Sequence, residues 1–270
     1  MIRLAGAIAG LWVLLGLLGL LLPLEPNRVA LSAMFTPPLV ETGQGLYLLG
    51  SDELGRSLLQ RLVDGAAISL LVALLSVGIS ASVGTAIGIL AGYRGGWVDR
   101  LISRLIEIFL AFPGLLLAIA MAGMLGPGID NVVIALSLMG WVGYARLARN
   151  QVLSLRRRDH VSAAVALGRT PAAVMRLHLL PLLMAPLLIE ASYGIAGAVI
   201  AEAGLSFLGL GVQPPQASWG SMIREGVRYL LVAPHLVLVP GIALSAVVLS
   251  ANLLGDALRD RLDVTSRSRR

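Results

Sequence analysis

The segment from Ala67 to Ala91 reads AISLLVALLSVGISASVGTAIGILA and contains no charged residue. A bilayer core is about 30 Å thick, and a helix needs about 20 mostly apolar residues to cross it. The segment exceeds that minimum, and the turn-forming stretch from Gly92 to Gly96 closes it. It therefore predicts a membrane-spanning helix, and this kind of helix decides the fold.

Five further apolar runs bring the number of predicted spans to six. The run that holds Glu107 and Pro113 ends at Gly126-Pro127-Gly128, a turn too short for a domain. The next run is short for a span, but its helical pattern continues past Arg146 and Arg149 into water. The five runs are Leu4 to Leu24, Leu105 to Leu125, Val132 to Ala145, Leu179 to Ala201 and Leu236 to Leu254.

The first of these runs also fits a cleaved signal peptide, because it follows a basic residue, Arg3. Signal peptides have apolar regions of about 7 to 15 residues and end in a small-x-small cleavage site. This run is longer and lacks that site, so we expect an uncleaved anchor helix.

The composition excludes several other classes of protein. Hydrophobic residues make up 57% of the 270 positions and charged residues 13%, against about 25% charged in a soluble domain. The absence of cysteine excludes disulfides, a thiol nucleophile and Cys-ligated metals. Three scattered histidines do not suggest a metal site, and a chain without lysine has no P-loop for ATP. We expect one membrane-embedded unit, residues 1–270, that binds no cofactor and is not an enzyme.

All 21 basic residues are arginine, and the net charge is +6. If the chain crosses the membrane six times, sixteen arginines fall on one face. The other face holds Arg28, Arg56, Arg61, Arg224 and Arg228. The positive-inside rule then places both termini in the cytoplasm. The basic charge thus reflects membrane topology, and a nucleic acid partner is not expected.

Between the fourth and fifth runs, residues 145–181 form a segment too polar for lipid. It predicts two short helices separated by Gly168, with Thr170 capping the second and Pro171 in its first turn. Such a helix-glycine-helix elbow is either a passive connector or a surface whose small residues let another protein approach closely.

The elbow carries a recognisable pattern. Ser162-Ala163-Ala164, Gly168 and Pro181, which follows His178, together resemble the EAA loop of permease subunits in bacterial ABC importers. In that family, the loop forms a coupling helix that docks into a cleft on the ATPase subunit. Ser162 stands where the family usually has glutamate, so the resemblance does not carry over a salt bridge from that position.

Further segments resemble the dipeptide, oligopeptide and nickel branch of these permeases, and Ser51 and Ser57 depart from its pattern. The matching segments are Gly50 to Ser57, Gly95 to Asp99, Ala111 to Pro113, Gly143 to Arg146, Leu205 to Val212, Trp219-Gly220 and Gly255 to Asp260. The resemblance implies an all-α membrane protein of the type I, MetI-like architecture, and specifically the C-type subunit. Residues 1–66 would form an anchor helix and an external segment, and residues 67–263 a core of five spans.

The resemblance also implies partners and a location. The chain would pair with a second homologous permease in the bacterial inner membrane, above two cytoplasmic ATPase subunits that bind the ATP. An external binding protein would deliver dipeptides or oligopeptides. A nickel complex or another small solute remains an alternative cargo.

Three acidic residues lie in or near apolar runs, where a charge costs about 2.5 to 3.5 kcal/mol on insertion scales. Glu107 has Arg104 as a partner three residues away, whereas Glu190 is the deepest candidate for the translocation path. Glu202 precedes the glycine-rich stretch from Gly204 to Gly211, which we expect to be non-helical. That stretch includes Ser206 and Phe207, and it predicts either a gate or an external loop.

Charged residues on the outer side suggest local pairs. Helical spacing would let Asp52 meet Arg56 and Arg61 approach Asp64. Arg224, Glu225 and Arg228 would share a short surface helix, which either helps to receive a binding protein or simply presents a solvated face.

Two other functions stay open. A gradient-driven secondary transporter would use Glu190 and Glu202, although no inverted repeat is evident. An intramembrane hydrolase would need a partner for Ser192, Ser206 or Ser245, and none stands out in the sequence.

Overall fold

A computed structural model describes residues 1–43 and 45–262. The described residues are mostly helical, and one small β-hairpin lies between the first two helices. The helices are α1 (Ile2–Leu21), α2 (Leu58–Arg94), α3 (Gly96–Leu110), α4 (Gly114–Leu125), α5 (Ile129–Leu155), α6 (Asp159–Ala166), α7 (Pro171–Ala173), α8 (Leu180–Phe207), α9 (Trp219–Val227) and α10 (His235–Leu262). A 3₁₀ turn covers Leu31–Ala33, a π-helical segment covers Val174–Leu179, and β1 (Val40–Thr42) pairs antiparallel with β2 (Gly45–Tyr47).

Five helical segments of the described chain are long and apolar enough to cross a membrane. They are α1, α2, α5, α10 and the stretch from Pro171 through Phe207, which is one continuous helical rod. The pair α3 and α4 passes the same test together but bends by 87°. With that pair counted as one broken span, the six predicted spans are all present.

The bend divides the predicted span from Leu105 to Leu125 into two helices. Pro113 has no backbone N–H and disfavours helical geometry in the residue before it. Helix α3 accordingly ends at Leu110, and α4 starts at Gly114. Near the bend, Arg104 and Glu107 form the expected ion pair at 2.7 Å, and both side chains are exposed.

Other boundaries also differ from the sequence predictions. Helix α2 begins at Leu58, well before Ala67. Helix α8 continues to Phe207, so the prediction of a non-helical stretch from Gly204 was wrong for its first four residues. The N–H of Leu208 still bonds to the carbonyl of Gly204 at 3.0 Å, and Gly209 then adopts φ +84°. A glycine in the left-handed conformation is a common end for a helix.

Helices α2 and α5 approach each other closely through glycines spaced four residues apart. A Cβ atom on Gly84 or Gly88 would overlap the carbonyl oxygen of Trp141 or Ala145, respectively. One on Gly92 would lie 2.9 Å from the carbonyl oxygen of Arg149. Small residues at such spacing let two membrane helices approach backbone to backbone.

A second core stabilises the end of the molecule at which α1, α2, α9 and α10 meet. Trp219 is 2% exposed, and its indole N–H donates to the carbonyl of Leu62 at 3.0 Å. Trp12 and Leu236 belong to the same buried cluster. Residue 263, where the predicted core ends, lies outside the described residues. So do three of the sixteen arginines on the basic face, at positions 267, 269 and 270.

Candidate translocation groove and coupling elbow

A groove of about 450 Å³ lies among α2, α4, α5 and α8. Its wall consists mostly of glycine, alanine and larger apolar side chains, and its polar groups come from Ser76, Ser80, Tyr144 and Glu190. A larger cavity of about 570 Å³ lies between α2 and the start of α8, and its polar groups come from Ser82, Thr85 and Arg176. The smaller groove holds the intramembrane carboxylate of Glu190.

Glu190 lies in the eleventh position of α8 and is half-buried in this groove. A Cβ atom on Gly143 would lie 2.9 Å from its Oε1 atom. Glycine at that position thus leaves one side of the carboxylate open. Within the described chain, the Glu190 carboxylate has neither an ion-pair partner nor a hydrogen-bond donor.

Tyr144 brings a second unpaired polar group to the groove. The residue is 4% exposed, and its hydroxyl has no hydrogen-bond partner among the residues that the structure describes. A Cβ atom on Gly194 would lie 2.7 Å from that hydroxyl oxygen, so glycine leaves space here too. Ser76 and Ser80 differ, because their hydroxyls already donate to backbone carbonyls of Val72 and Ser137.

Glu202 and Ser206 lie at the far end of α8 and bond to each other. The carboxylate of Glu202 is almost fully buried and accepts from Ser206 at 2.7 Å and from Ser69 of α2 at 3.2 Å. The hydroxyl of Ser206 also accepts from the backbone N–H of Val212, which fixes the turn after α8. Phe207, the last residue of α8, points its side chain to the surface.

The four predicted path residues thus separate into distinct places. Glu190 and Glu202 are twelve positions apart on α8, which corresponds to about 18 Å along the helix. Neither Glu202, Ser206 nor Phe207 lines the groove that holds Glu190.

The predicted elbow forms α6, a glycine turn and the start of the fifth span. Gly168 adopts φ +80°, which favours glycine. The hydroxyl of Thr170 accepts from the N–H of Ala173 at 3.4 Å, and Pro171 occupies the first turn, as expected. The prediction of a short second helix was wrong, because the helix that begins at Pro171 continues into the membrane.

The two sides of α6 have different surroundings. Val161 is buried in one cluster with Val174 and Leu179 of the fifth span, and Ala164 is buried as well. On the opposite side, the small residues Ser162 and Ala163 are exposed, and so is Leu167 at the tip of the elbow. One face of the helix is therefore bound to the fifth span, and the other is free for contact with another molecule.

His178 and Pro181 lie where the fifth span leaves the elbow. The backbone here is π-helical, and the N–H of Leu180 donates to the carbonyl of Met175 five residues earlier. The ring of a proline within a helix clashes with the carbonyl four residues before it. We attribute the wider turn to Pro181. His178 is half-buried and Pro181 exposed.

Two polar contacts connect the elbow end of α5 to neighbouring helices. Asp99 of α3 forms a bidentate ion pair with Arg149, in which the Nη2 to Oδ2 distance is 2.8 Å. Arg156 donates to the carbonyl of Gly92, in the last turn of α2, at 3.0 Å. These contacts bridge long stretches of sequence, and sequence reasoning missed both.

A buried ionic cluster lies at the end of the molecule that holds α9. Asp52 meets Arg56 at 2.6 Å as predicted, although residues 52–56 form a turn and not a helix. The predicted partner of Arg61 was wrong. Its guanidinium pairs with Glu225 of α9 at 2.8 Å and with Asp52 at 3.5 Å, while the Asp64 carboxylate accepts from the N–H of Ala217.

Glu225 connects this cluster to α9, the predicted short helix. Burial raises the pKa of the Glu225 carboxyl, and nearby Arg61 and Arg56 oppose that effect. The carboxylates of Glu53 and Asp52 add to it. Glu225 thus faces inward, and the prediction that it lies on a solvated face was wrong.

Comparison with known proteins identifies the fold and the family. The family described as "Binding-protein-dependent transport system inner membrane component" matches residues 84–267. Two solved structures of the MetNI methionine ABC transporter, in inward-facing conformations, have a similar fold. One has a TM-score of 0.60 at 21% identity, and it covers 74% of this chain and 95% of its own. The other has a TM-score of 0.61 at 20% identity, and the match covers 75% of this chain and 96% of the other.

Curated relatives are closer in sequence. A di/tripeptide transport system permease protein of Pseudomonas aeruginosa is 42% identical over 89% of this chain and 80% of its own length. A dipeptide transport system permease protein of Escherichia coli strain K12 is 44% identical over 89% and 81%. A putative peptide transport system permease protein of Brucella suis is 38% identical over 88% and 79%. This chain, with its apolar spans and MetI-like fold, belongs to the family of inner-membrane permease components of binding-protein-dependent ABC transport systems.

Proposed function

We propose that the chain is one of two permease subunits of an ATP-driven importer that carries dipeptides or short oligopeptides into the cytoplasm. The observation that carries the proposal is the identity of 42 to 44% with dipeptide and di/tripeptide permeases over nine-tenths of the chain. ATP would be bound by two partner ATPase subunits, and an external binding protein would deliver the peptide.

The arginine distribution supports one orientation for this subunit. The elbow and the last turn of α10 belong to the arginine-rich face, so we place both in the cytoplasm together with the two termini. The outer ionic cluster and α9 then face the compartment from which the binding protein delivers its cargo.

The elbow is suited to transmit movement of an ATPase subunit. Ser162, Ala163 and Leu167 offer a surface of small and apolar groups to the partner. Val161, on the other side of α6, packs on the helix that continues as α8, and Ala164 on that side is buried. A displacement of α6 would therefore move α8, on which Glu190 lies.

A pair of substitutions separates docking from folding. Ala163→Trp places bulk on the exposed face of α6, whereas Ala164→Trp forces bulk into a buried position. We expect Ala163→Trp to lower ATP-dependent uptake of alanyl-alanine by at least about tenfold, at an unchanged level of protein in the membrane. Ala164→Trp should lower that level itself, because overpacking a buried site is destabilising.

The measurement uses the transporter purified with its neighbouring subunits and reconstituted into vesicles. Asp260→Trp, at the exposed end of α10, serves as the control for added bulk. Normal uptake by Ala163→Trp would refute docking at this face. Uptake that follows an ion gradient and needs no ATP would refute the importer proposal and favour a secondary transporter.

A further inference from the structure

We propose that Glu190 receives the protonated amino end of the peptide during translocation, with the Tyr144 hydroxyl as a second polar contact. The inference rests on the proposed function, and it concerns which residue in the membrane recognises the cargo. The groove and the two unpaired polar groups that converge in it carry the argument.

The charge pattern of the groove fits a ligand with a single positive charge. Of the described residues that line it, Glu190 alone is charged. A carboxylate surrounded by apolar surface is costly unless a cation pairs with it. The described part of the chain supplies no such cation, since no arginine or histidine side chain lies within ion-pair distance of Glu190.

The second polar group is independent of the first. The Tyr144 side chain comes from α5, is 4% exposed, lines the same groove and has an unpaired hydroxyl. Buried hydroxyls nearly always have a hydrogen-bond partner, so an orphan of this kind calls for a ligand or a water molecule. An ammonium group can donate to a carboxylate and to a phenol oxygen at once.

Glycine keeps both groups accessible. Gly143 leaves the Glu190 oxygen uncovered, and Gly194 does the same for the Tyr144 hydroxyl. The groove measures about 450 Å³, which lies within the range of about 300 to 1,000 Å³ found for small-molecule sites.

Other occupants fit less well. A calcium or magnesium ion takes six or more oxygen ligands, commonly with carboxylates among them. The described residues contain no group of three or more His, Asp or Glu side chains that could hold one. A proton relay would need a chain of titratable groups, and the groove offers one carboxylate and one tyrosine.

The test compares Glu190→Gln, which removes the charge and keeps the shape, with Glu190→Asp, which keeps the charge. The complete transporter is reconstituted in vesicles with ATP inside, and uptake of alanyl-alanine is measured at a saturating concentration of the binding protein. We expect Glu190→Gln to lower the maximum rate of uptake about tenfold. ATP hydrolysis stimulated by the binding protein should persist, so the ATP consumed per peptide rises. Glu190→Asp should restore at least half of the rate.

Glu107→Gln provides the matched control, because it removes one carboxylate from an exposed ion pair outside the groove. It should transport at the rate of the unmodified protein. An unchanged rate in Glu190→Gln overturns the inference. So does a loss that accompanies a smaller yield of the two-permease complex, because Glu190 would then pair with the partner subunit. An equal loss in Glu190→Asp overturns it as well.

Failure of the inference and failure of the proposed function are distinguishable. If the unmodified transporter does not take up alanyl-alanine, the peptide importer proposal fails. If the unmodified transporter takes it up and Glu190→Gln does so at the same rate, only the role of Glu190 fails.

Discussion

The outer ionic cluster leads to an asymmetric prediction for two variants that break the same ion pair. Arg61 and Arg56 face three carboxylates, those of Asp52, Glu53 and Glu225, so the cluster carries one excess negative charge. Removing an arginine leaves one positive charge against three negative charges. Removing Glu225 leaves two against two.

The magnitudes follow from burial. The Arg61 side chain is 2% exposed, and loss of one partner from a buried pair costs about 3 to 5 kcal/mol. Arg61→Met keeps most of the apolar stem, so the loss reports on the charge. The side chain of Glu225 is 25% exposed, and Glu225→Gln retains a hydrogen-bond acceptor for Arg61. We expect it to cost about 1 kcal/mol, the value of a typical hydrogen bond.

The assay follows the fraction of folded, monodisperse protein in detergent as the temperature rises. Arg61→Met should lower the unfolding midpoint far more than Glu225→Gln. The double variant leaves one positive charge against two negative charges, so it should recover part of the loss seen in Arg61→Met. Equal midpoints for the two single variants would refute the assignment of an excess negative charge. A midpoint for Arg61→Met equal to that of the unmodified protein would refute the buried pair itself.

Two further predictions concern packing and pH. Gly84→Val should abolish accumulation of the protein in the membrane, because the new side chain overlaps the backbone of α5. Gly78→Val on the same helix is the control and should accumulate normally, because no atom lies within 4 Å of a Cβ at that position. Immunoblots of membrane fractions measure both, and normal accumulation of Gly84→Val would contradict the close contact. Burial raises the pKa of Glu225, with Arg61 and Arg56 opposing, so the folded state binds the proton more tightly than the unfolded state does. The free energy of unfolding should therefore fall as the pH rises from below the ordinary carboxyl range through the raised pKa, and Glu225→Gln should lose this component in melts across pH 4 to 8.

Much of the membrane architecture could be predicted from apolar runs, because lipid requires a long uncharged helix wherever the chain crosses. The cap at Thr170 and the turn at Gly168 were predictable for a similar reason, since each depends on the chemistry of one or two adjacent residues. The bend at Pro113 had a visible cause, but its angle depends on how α3 packs against α5.

The polar contacts could not be predicted to the same degree. Asp52 and Arg56 are near in sequence, so their pairing was accessible. Arg61 and Glu225 are 164 positions apart, and only the folded arrangement of α2 and α9 brings them together. The groove depends on the same kind of convergence, since Tyr144 and Glu190 come from different helices. The spacing of Gly84, Gly88 and Gly92, in contrast, is a local signal that predicts a close helix contact.

The glycine contact between α2 and α5 also has a consequence for biosynthesis. The ribosome delivers α2 to the membrane before α3, α4 and α5 exist, so Gly84, Gly88 and Gly92 first face lipid. Their backbone hydrogen bonds are satisfied within the helix, and glycine has no side chain for lipid chains to pack against. When α5 enters, the carbonyls of Trp141 and Ala145 find a complementary surface already in place. Because α2 precedes α5 in the chain, α2 can be inserted into the bilayer before α5 packs against it.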